Sequence, residues 1–461
     1  MSRIGILVTI LLLIVLIPIG ALIALSRGTE VKFDPQPKAI GASTPLKLKV
    51  ANPHGVRSVR VFVEQDGART QVFEKTEPAS RLMFWKKHEQ PSEIAFNAAG
   101  KKEGKARLVA EVVSNDLRGS TDTAAADVDV ILRPPAVVAD GVQHYINQGG
   151  SELVVITPSG YWTEAGVRSG RYTFRSWPKP GSQTERFSLF GFPWDLPADT
   201  VPVAYVRNAA GTEAQARFWT KIFPKAFRKR DLDLSDAFLE KVVNEIDPGG
   251  SGDLITRFLK INGEMRRANN QTLADLRLKT EERFLWSTPF QQLGNSKVES
   301  QFADVRSYIY KGKKVDEQVH LGFDLSVTQH VPVAAANDGK IVWADRLGIY
   351  GNCIVVDHGY GLQSIYGHLS SIGVKVGDMV KKGQEMGRSG ATGLAGGDHL
   401  HFSMQLDGVQ INPVEWFDAH WIQDRVFSKV APAGVTMTAA SSTSSEPAPA
   451  RHKKAKGKRK R

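Results

Sequence analysis

Cysteine is almost missing from this chain: Cys353 is the only one. An intramolecular disulfide is therefore excluded, and so is any zinc site built on four thiolates. A metal, if bound, must be held by histidine and carboxylate. Charge is missing from Ile4 to Leu25, a run that would extend about 33 Å as a helix at 1.5 Å per residue. That is long enough to cross a bilayer, and Pro18 and Gly20 are tolerable in a membrane helix. A cleaved signal peptide would have an apolar core of about 7–15 residues. The run is longer, so residues 1–28 are expected to be an uncleaved transmembrane signal-anchor. Acids and aromatics are both missing from Arg451–Arg461, which holds five lysines and three arginines. Without those eight charges the net +12 falls to +4, so basicity belongs to the tail and not to the folded body. With no aromatic residue for base stacking, the tail is not expected to bind nucleic acid.

What is present points to several β-rich domains. A chain of 461 residues is too long for one hydrophobic core, and 42 glycines with 23 prolines supply many turns. In 29–133, Leu46-Lys-Leu-Lys-Val50, Val59-Arg-Val-Phe-Val63 and Arg107-Leu-Val-Ala-Glu-Val-Val113 alternate with a period near two. That spacing predicts an immunoglobulin-like β-sandwich. A second β-rich block follows over 134–225, with Leu153-Val-Val-Ile156 and Arg171-Tyr-Thr-Phe174. Over 226–285 the period changes. Phe238, Leu239, Val242, Val243 and Ile246 recur at helical steps behind a candidate N-cap, Ser235, and Leu254, Ile255, Phe258 and Leu259 repeat the pattern behind Asp253. These read as two amphipathic helices packed on a neighbour. Strand patterns and glycine turns return over 286–425. The remainder, 426–461, reads as a disordered Pro/Ala/Ser/Thr linker with the basic tail.

Of eleven histidines, seven fall between 320 and 420. His320-Leu-Gly-Phe-Asp324 pairs an imidazole with a carboxylate, Tyr366-Gly-His368 closes a strand-like run, and His399-Leu-His401 opens another. Residues two apart on a strand face the same way, so His399 and His401 can enter one site. Residues 320 and 324 would lie roughly 13 Å apart on a straight strand; Gly322 is placed to let the chain bend between them. Two histidines, one aspartate and a water would make an open tetrahedral zinc site. His330, His358 and His420 read as structural or surface residues.

Residues 286–420 resemble the lysostaphin/LytM-type zinc endopeptidases of bacterial cell walls. The likeness is carried by His320-Leu-Gly-Phe-Asp324, Pro332-Val-Ala-Ala-Ala-Asn-Asp-Gly339, Tyr350-Gly-Asn352 and Asp357-His-Gly-Tyr-Gly361. It continues through Tyr366-Gly-His-Leu-Ser370, Val376-Gly-Asp-Met-Val-Lys-Lys-Gly-Gln384, Gly387-Arg-Ser-Gly-Ala-Thr-Gly393 and His399-Leu-His401. The resemblance implies a β-sheet groove with Zn2+ on its floor, held by His320, Asp324 and His401, and it assigns His368 and His399 to catalysis. Taken with the expected anchor, it implies a membrane-anchored zinc metalloendopeptidase acting on peptidoglycan peptides outside the cytoplasmic (inner) membrane, in the periplasm or on the cell-wall side. Some relatives have lost zinc ligands and act as scaffolds that activate other wall hydrolases; here every metal and catalytic position is filled. No His-Glu-x-x-His occurs, so a helix-borne glutamate is not the base. In Ser300-Gln-Phe-Ala-Asp-Val-Arg306, Ala303 stands where the family usually has glycine. Arg306 is expected either to line the groove or to make a structural ion pair, and Tyr308 and Tyr310 are candidate substrate contacts. The basic tail is expected on anionic lipid or wall polymer, at about 1 kcal/mol per basic residue near a charged membrane. The N-terminal blocks would be either a stalk or a cover for the site.

Overall fold

Alternating apolar residues build the first β block. In strand Val56–Gln65, Val59, Val61 and Val63 turn inward, and its neighbour Gly104–Ser114 does the same with Ala106, Leu108 and Ala110. A five-stranded and a three-stranded sheet share this one core, the smaller sheet contributing Leu48, Val50, Ile94 and Phe96. In the computed structural model, residues 3–77 and 93–430 are described. The stretch 431–450 and the basic tail lie outside them, as does the tail's expected contact with lipid or wall polymer.

The transmembrane anchor expected over 1–28 is not supported. Arg3–Leu25 is one helix, yet among the described residues no helix is long and apolar enough to cross a membrane.

The second block has two four-stranded sheets, centred on Ser151–Ser159 with Arg186–Gly191 and on Glu164–Ser169 with Val203–Arg207. Its core does not end at its own boundary. Val154, Phe187 and Phe190 belong to one cluster with Trp286, Phe290, Phe323, Met404, Trp416 and Phe427. Phe284 bridges the two, its ring 5.9 Å from Phe187 and 5.7 Å from Phe427. Polar ties run alongside: Asp407 accepts from Arg175 Nε at 2.7 Å. The buried Glu415 carboxylate accepts from Asn147 Nδ2 at 2.9 Å, Ser151 N at 2.8 Å and Ser151 Oγ at 3.1 Å. Val426, Phe427 and Val430 are also buried in this cluster, which carries the fold past the boundary expected at 425.

The C-terminal domain is an antiparallel sheet. Seven strands run in the order Lys297–Ser300, Phe323–Ser326, Leu400–Leu406, Leu362–Leu369, Asn352–Asp357, Gly339–Arg346 and Met379–Val380, and Val409–Ile411 pairs with Leu400–Leu406. A smaller sheet joins Lys229–Asp233, Asp304–Tyr310 and Lys313–His320. The helical segment packs on the large sheet: Leu239, Val242, Val243 and Phe258 meet Cys353, Val355 and Ile365. Ser235 Oγ caps the first helix, accepting from Phe238 N, and Asp253 caps the second through Thr256 N. A third helix, Arg266–Asp275, has no counterpart in the apolar periodicity, because its sequence is polar and only Asn269 and Leu273 are buried.

Replacing Glu415 with alanine would strand two buried donors, Ser151 N and Ser151 Oγ, in the seam between the second block and the C-terminal domain. The expected cost is about 2–6 kcal/mol, at about 1–3 kcal/mol per buried unsatisfied group. It would be read as a lowered urea midpoint that His420→Ala, at an exposed position, does not reproduce.

Candidate metal centre

Three strands from two sheets bring the ligands together. His320 ends Lys313–His320, Asp324 lies in Phe323–Ser326, and His401 lies in Leu400–Leu406, directly opposite Asp324 in register. The chain changes sheet between His320 and Asp324, and this supplies the bend that a straight strand could not. Gly322 serves this turn by making room, not by adopting a left-handed backbone. A Cβ there would lie 2.7 Å from His401 Cε1 and 2.7 Å from Phe402 O.

The donor atoms converge tightly. His320 Nε2 is 2.9 Å from Asp324 Oδ1 and 3.0 Å from His401 Nδ1, and His401 Nδ1 is 3.1 Å from Asp324 Oδ1. His320 Nδ1 lies 3.1 Å from the Gln301 carbonyl, so its proton belongs there and the Nε2 lone pair faces inward. His401 presents Nδ1 inward and turns Nε2 to Ser403 Oγ at 3.4 Å. Lone pairs this close repel unless a cation or a shared proton lies among them. Zinc with ligands at about 2.0–2.1 Å places tetrahedral donors about 3.3 Å apart, so this set fits a zinc ion after a small expansion. Among the described residues His320, Asp324 and His401 form the one group with metal-ligand spacing. The second Asp324 oxygen accepts from Arg306 Nη2 at 2.6 Å, which fixes the carboxylate.

Two more imidazoles flank the three. His368 Nδ1 is 2.8 Å from Thr392 O, and His399 Nδ1 is 2.8 Å from Gly397 O. Each therefore aims Nε2 into the site. Their rings are 4.8 Å apart, and His399 Nε2 is 3.5 Å from Asp324 Oδ1. His368 has φ 64°, a left-handed backbone that costs a non-glycine residue about 1–3 kcal/mol and clusters at functional sites. Burial and the neighbouring imidazoles push His368 well below the usual histidine range. Burial also lowers His401, to about 4. His399 feels the same desolvation, but the hydrogen bond and charge of Asp324, together with the hydrogen bond to Gly397 O, outweigh it and raise its affinity for a proton. Burial would raise the Asp324 carboxyl; the charge and hydrogen bonds of His320, His399 and His401 overcome this and hold it far below the carboxylate range.

These groups lie in a cleft of about 310 Å³ whose walls also include Phe238, Arg266 and Asn270 from the helical segment. A model of peptidase family M23 matches residues 318–413. Residues 318–413 are an M23 peptidase domain. Over 97 residues the chain is 37% identical to the DD-carboxypeptidase/endopeptidase Mpg of Neisseria meningitidis serogroup B, an overlap of 21% of this chain and 22% of that protein. It is 36% identical over 95 residues to the murein hydrolase activator EnvC of Escherichia coli, covering 21% of this chain and 23% of EnvC. A solved catalytic domain of lysostaphin from Staphylococcus simulans is 28% identical, with a TM-score of 0.21, covering 31% of this chain and 96% of that one. The match thus spans about a fifth of the length of these curated relatives.

The five residues singled out from the sequence all meet at the cleft of the M23 domain. Arg306 does both things expected of it, lining the cleft and pairing with Asp324. Tyr308 is 4% exposed and packs edge-on against Phe258, while Tyr310 donates to Asp236 at 2.8 Å. Both brace the helical segment, and Tyr308 also lines the cleft, as expected of it. His358 is buried between Asp338 O and Ser364 Oγ, each 2.7 Å away, and burial lowers it to about 4. His330 contacts Ser389 O, and the exposed His420 faces Asp424. Ala303 has φ 62°, a left-handed conformation that favours glycine. The M23 domain's helical wall was not legible in the sequence: Arg266 and Asn270 sit on a polar helix without apolar rhythm.

Gly322→Ala should press on the His401 ring. Zinc affinity is expected to fall at least about ten-fold, the scale of disturbing a ligand's support, as measured by chelator competition. Unchanged affinity would show that the space beside His401 is not critical.

Proposed function

We propose that this chain is a zinc metalloendopeptidase that hydrolyses peptide bonds in peptidoglycan cross-links or stem peptides. The observation that supports this most is the convergence of His320, Asp324 and His401 beside two imidazoles that aim Nε2 into the same cleft. A bound zinc would supply a Lewis acid and lower the pKa of a water to about 7. His320 and His401 would give it neutral nitrogen donors, and Asp324 a carboxylate oriented by Arg306. His399 is placed to take the proton of the attacking water on Nε2, because the imidazolium so formed lies beside Asp324. It then returns that proton to the leaving amine. His368, more deeply enclosed, has its Nδ1 fixed on Thr392 O and offers Nε2 as an acceptor that orients the water or the substrate amide.

The relative named a DD-carboxypeptidase/endopeptidase supports this chemistry. Such a substrate lies outside the cytoplasm, and the domain would work there. A second reading, a scaffold that activates another wall hydrolase, draws on the comparable identity to a protein named a murein hydrolase activator. The complete set of five polar residues favours the enzyme.

Zinc analysis combined with digestion of purified sacculi separates the two. The wild-type chain should carry about one zinc and release muropeptides, and a chelator should stop it. His320→Ala and His401→Ala should lose the metal. His399→Ala should keep it and lose about 10²–10⁴-fold in turnover. Metal-free wild-type protein that cleaves nothing yet stimulates an amidase would overturn the enzymatic reading.

A further inference from the structure

Positive charge exceeds negative charge in the cleft. Arg306 is engaged by Asp324, but Arg230 and Arg266 line the same cleft, and neither pairs with a carboxylate among the described residues. Arg230 Nη1 donates to Glu299 O at 3.1 Å and Ser300 Oγ at 3.3 Å. The nearby Glu299 carboxylate is taken by Lys297 Nζ at 2.9 Å and Ser326 Oγ at 3.2 Å. Arg266 donates through Nε to Asn262 O at 3.2 Å and through Nη2 to Asn262 Oδ1 at 2.6 Å. Asn262 is fully buried and is itself anchored by Asp316 Oδ2 at 2.7 Å. One edge of the Arg266 guanidinium is thus held rigidly by neutral acceptors, and Nη1 keeps its donors for something else.

The backbone supports the same reading. Residues Ile261–Met265 form a π turn immediately before Arg266. Such a turn inserts one residue and rotates the succeeding side chains by about 100° on the helix surface, and π turns recur at functional sites. Two half-buried guanidiniums that form no ion pair, one of them only in the field of a Glu299 already held by Lys297, are incompletely matched in a narrow cleft. A forked guanidinium matches a carboxylate through paired hydrogen bonds. Neither arginine lies in the segment matched to family M23, 318–413.

We propose that Arg230 and Arg266 form an anion-binding subsite that takes a free carboxylate of the peptide in the cleft, so that the protein selects acidic peptides over their amidated counterparts. This rests on the peptidase reading only in taking a peptide as the occupant. Carboxylate binding seats the peptide; Arg230 and Arg266 are specificity residues, with no part in the proton transfers.

The test uses the zinc-loaded full chain and two synthetic stem peptides that differ only in free or amidated carboxylates. Affinities are measured calorimetrically on the His399→Ala protein, so that no turnover is needed, and KM and kcat are measured on the His399-containing protein. The acid peptide should bind at least about ten-fold more tightly than the amide, the scale of one charge-assisted pair. Arg266→Gln or Arg230→Gln should erase that preference, raising KM for the acid peptide with kcat little changed, and Arg266→Lys should retain part of it. Zinc content and unfolding midpoint control for misfolding. If Arg266→Gln fails to fold, Arg230→Gln and the acid-to-amide comparison still decide. Equal affinity for the two peptides, or equal weakening of both by the variants, would overturn the subsite. A protein that binds with this preference but cleaves neither peptide would leave the subsite standing and remove the peptidase reading instead.

Discussion

Two imidazole nitrogens and a carboxylate oxygen are held at 2.9–3.1 Å from one another in a buried site. Left to themselves these lone pairs would move apart, so the fold has to enforce the arrangement and a cation has to relieve it. Much of the local structure answers that need. The register of Phe323–Ser326 against Leu400–Leu406 sets Asp324 opposite His401. Gln301 O fixes the His320 tautomer, Arg306 takes the carboxylate's other oxygen, and the absent side chain of Gly322 leaves space for the His401 ring.

Part of the cleft wall comes from outside the matched M23 segment. The loop leading into His399 is fastened to the first helix of the helical segment. Lys241 Nζ donates to Ala395 O and Gly396 O, each at 3.2 Å, and Glu245 accepts from Gly393 N at 2.7 Å. The helix therefore both walls the cleft and steadies the backbone that carries His399. The second β block is equally involved, because its core runs without a break into that of the M23 domain. The first block keeps a separate core and meets the second through a small contact at Ala39, Ile131 and Ala210.

Period-two alternation made the mainly β character legible, and the histidine-bearing sequences made the site legible. Spacing alone could not tell which of His399 and His401 faces the metal, because residues two apart on a strand would share a side; only the family resemblance assigned His401. The structure separates them: His401 is inside the ladder, while His399 sits at an isolated bridge to Gly390 before the strand begins. Continuity of the second block with the M23 domain was also hidden. An inward-facing valine or phenylalanine looks the same in sequence whether it meets its own sheet or a neighbour's. The polar wall of Arg266 and Asn270 had no apolar rhythm to reveal it, and its placement depends on a π turn that sequence patterns do not announce. For the anchor, an apolar run sufficed for the expectation, but the described helix does not support it.

The central claim is that His320, Asp324 and His401 together hold zinc. X-ray absorption at the zinc edge on the purified full chain tests it most directly. Only nitrogen and oxygen neighbours are expected, at about 2.0–2.1 Å, four in number and with two of them imidazoles, and that shell should collapse in Asp324→Ala. A sulfur neighbour at about 2.3 Å, or an intact shell in that variant, would contradict it.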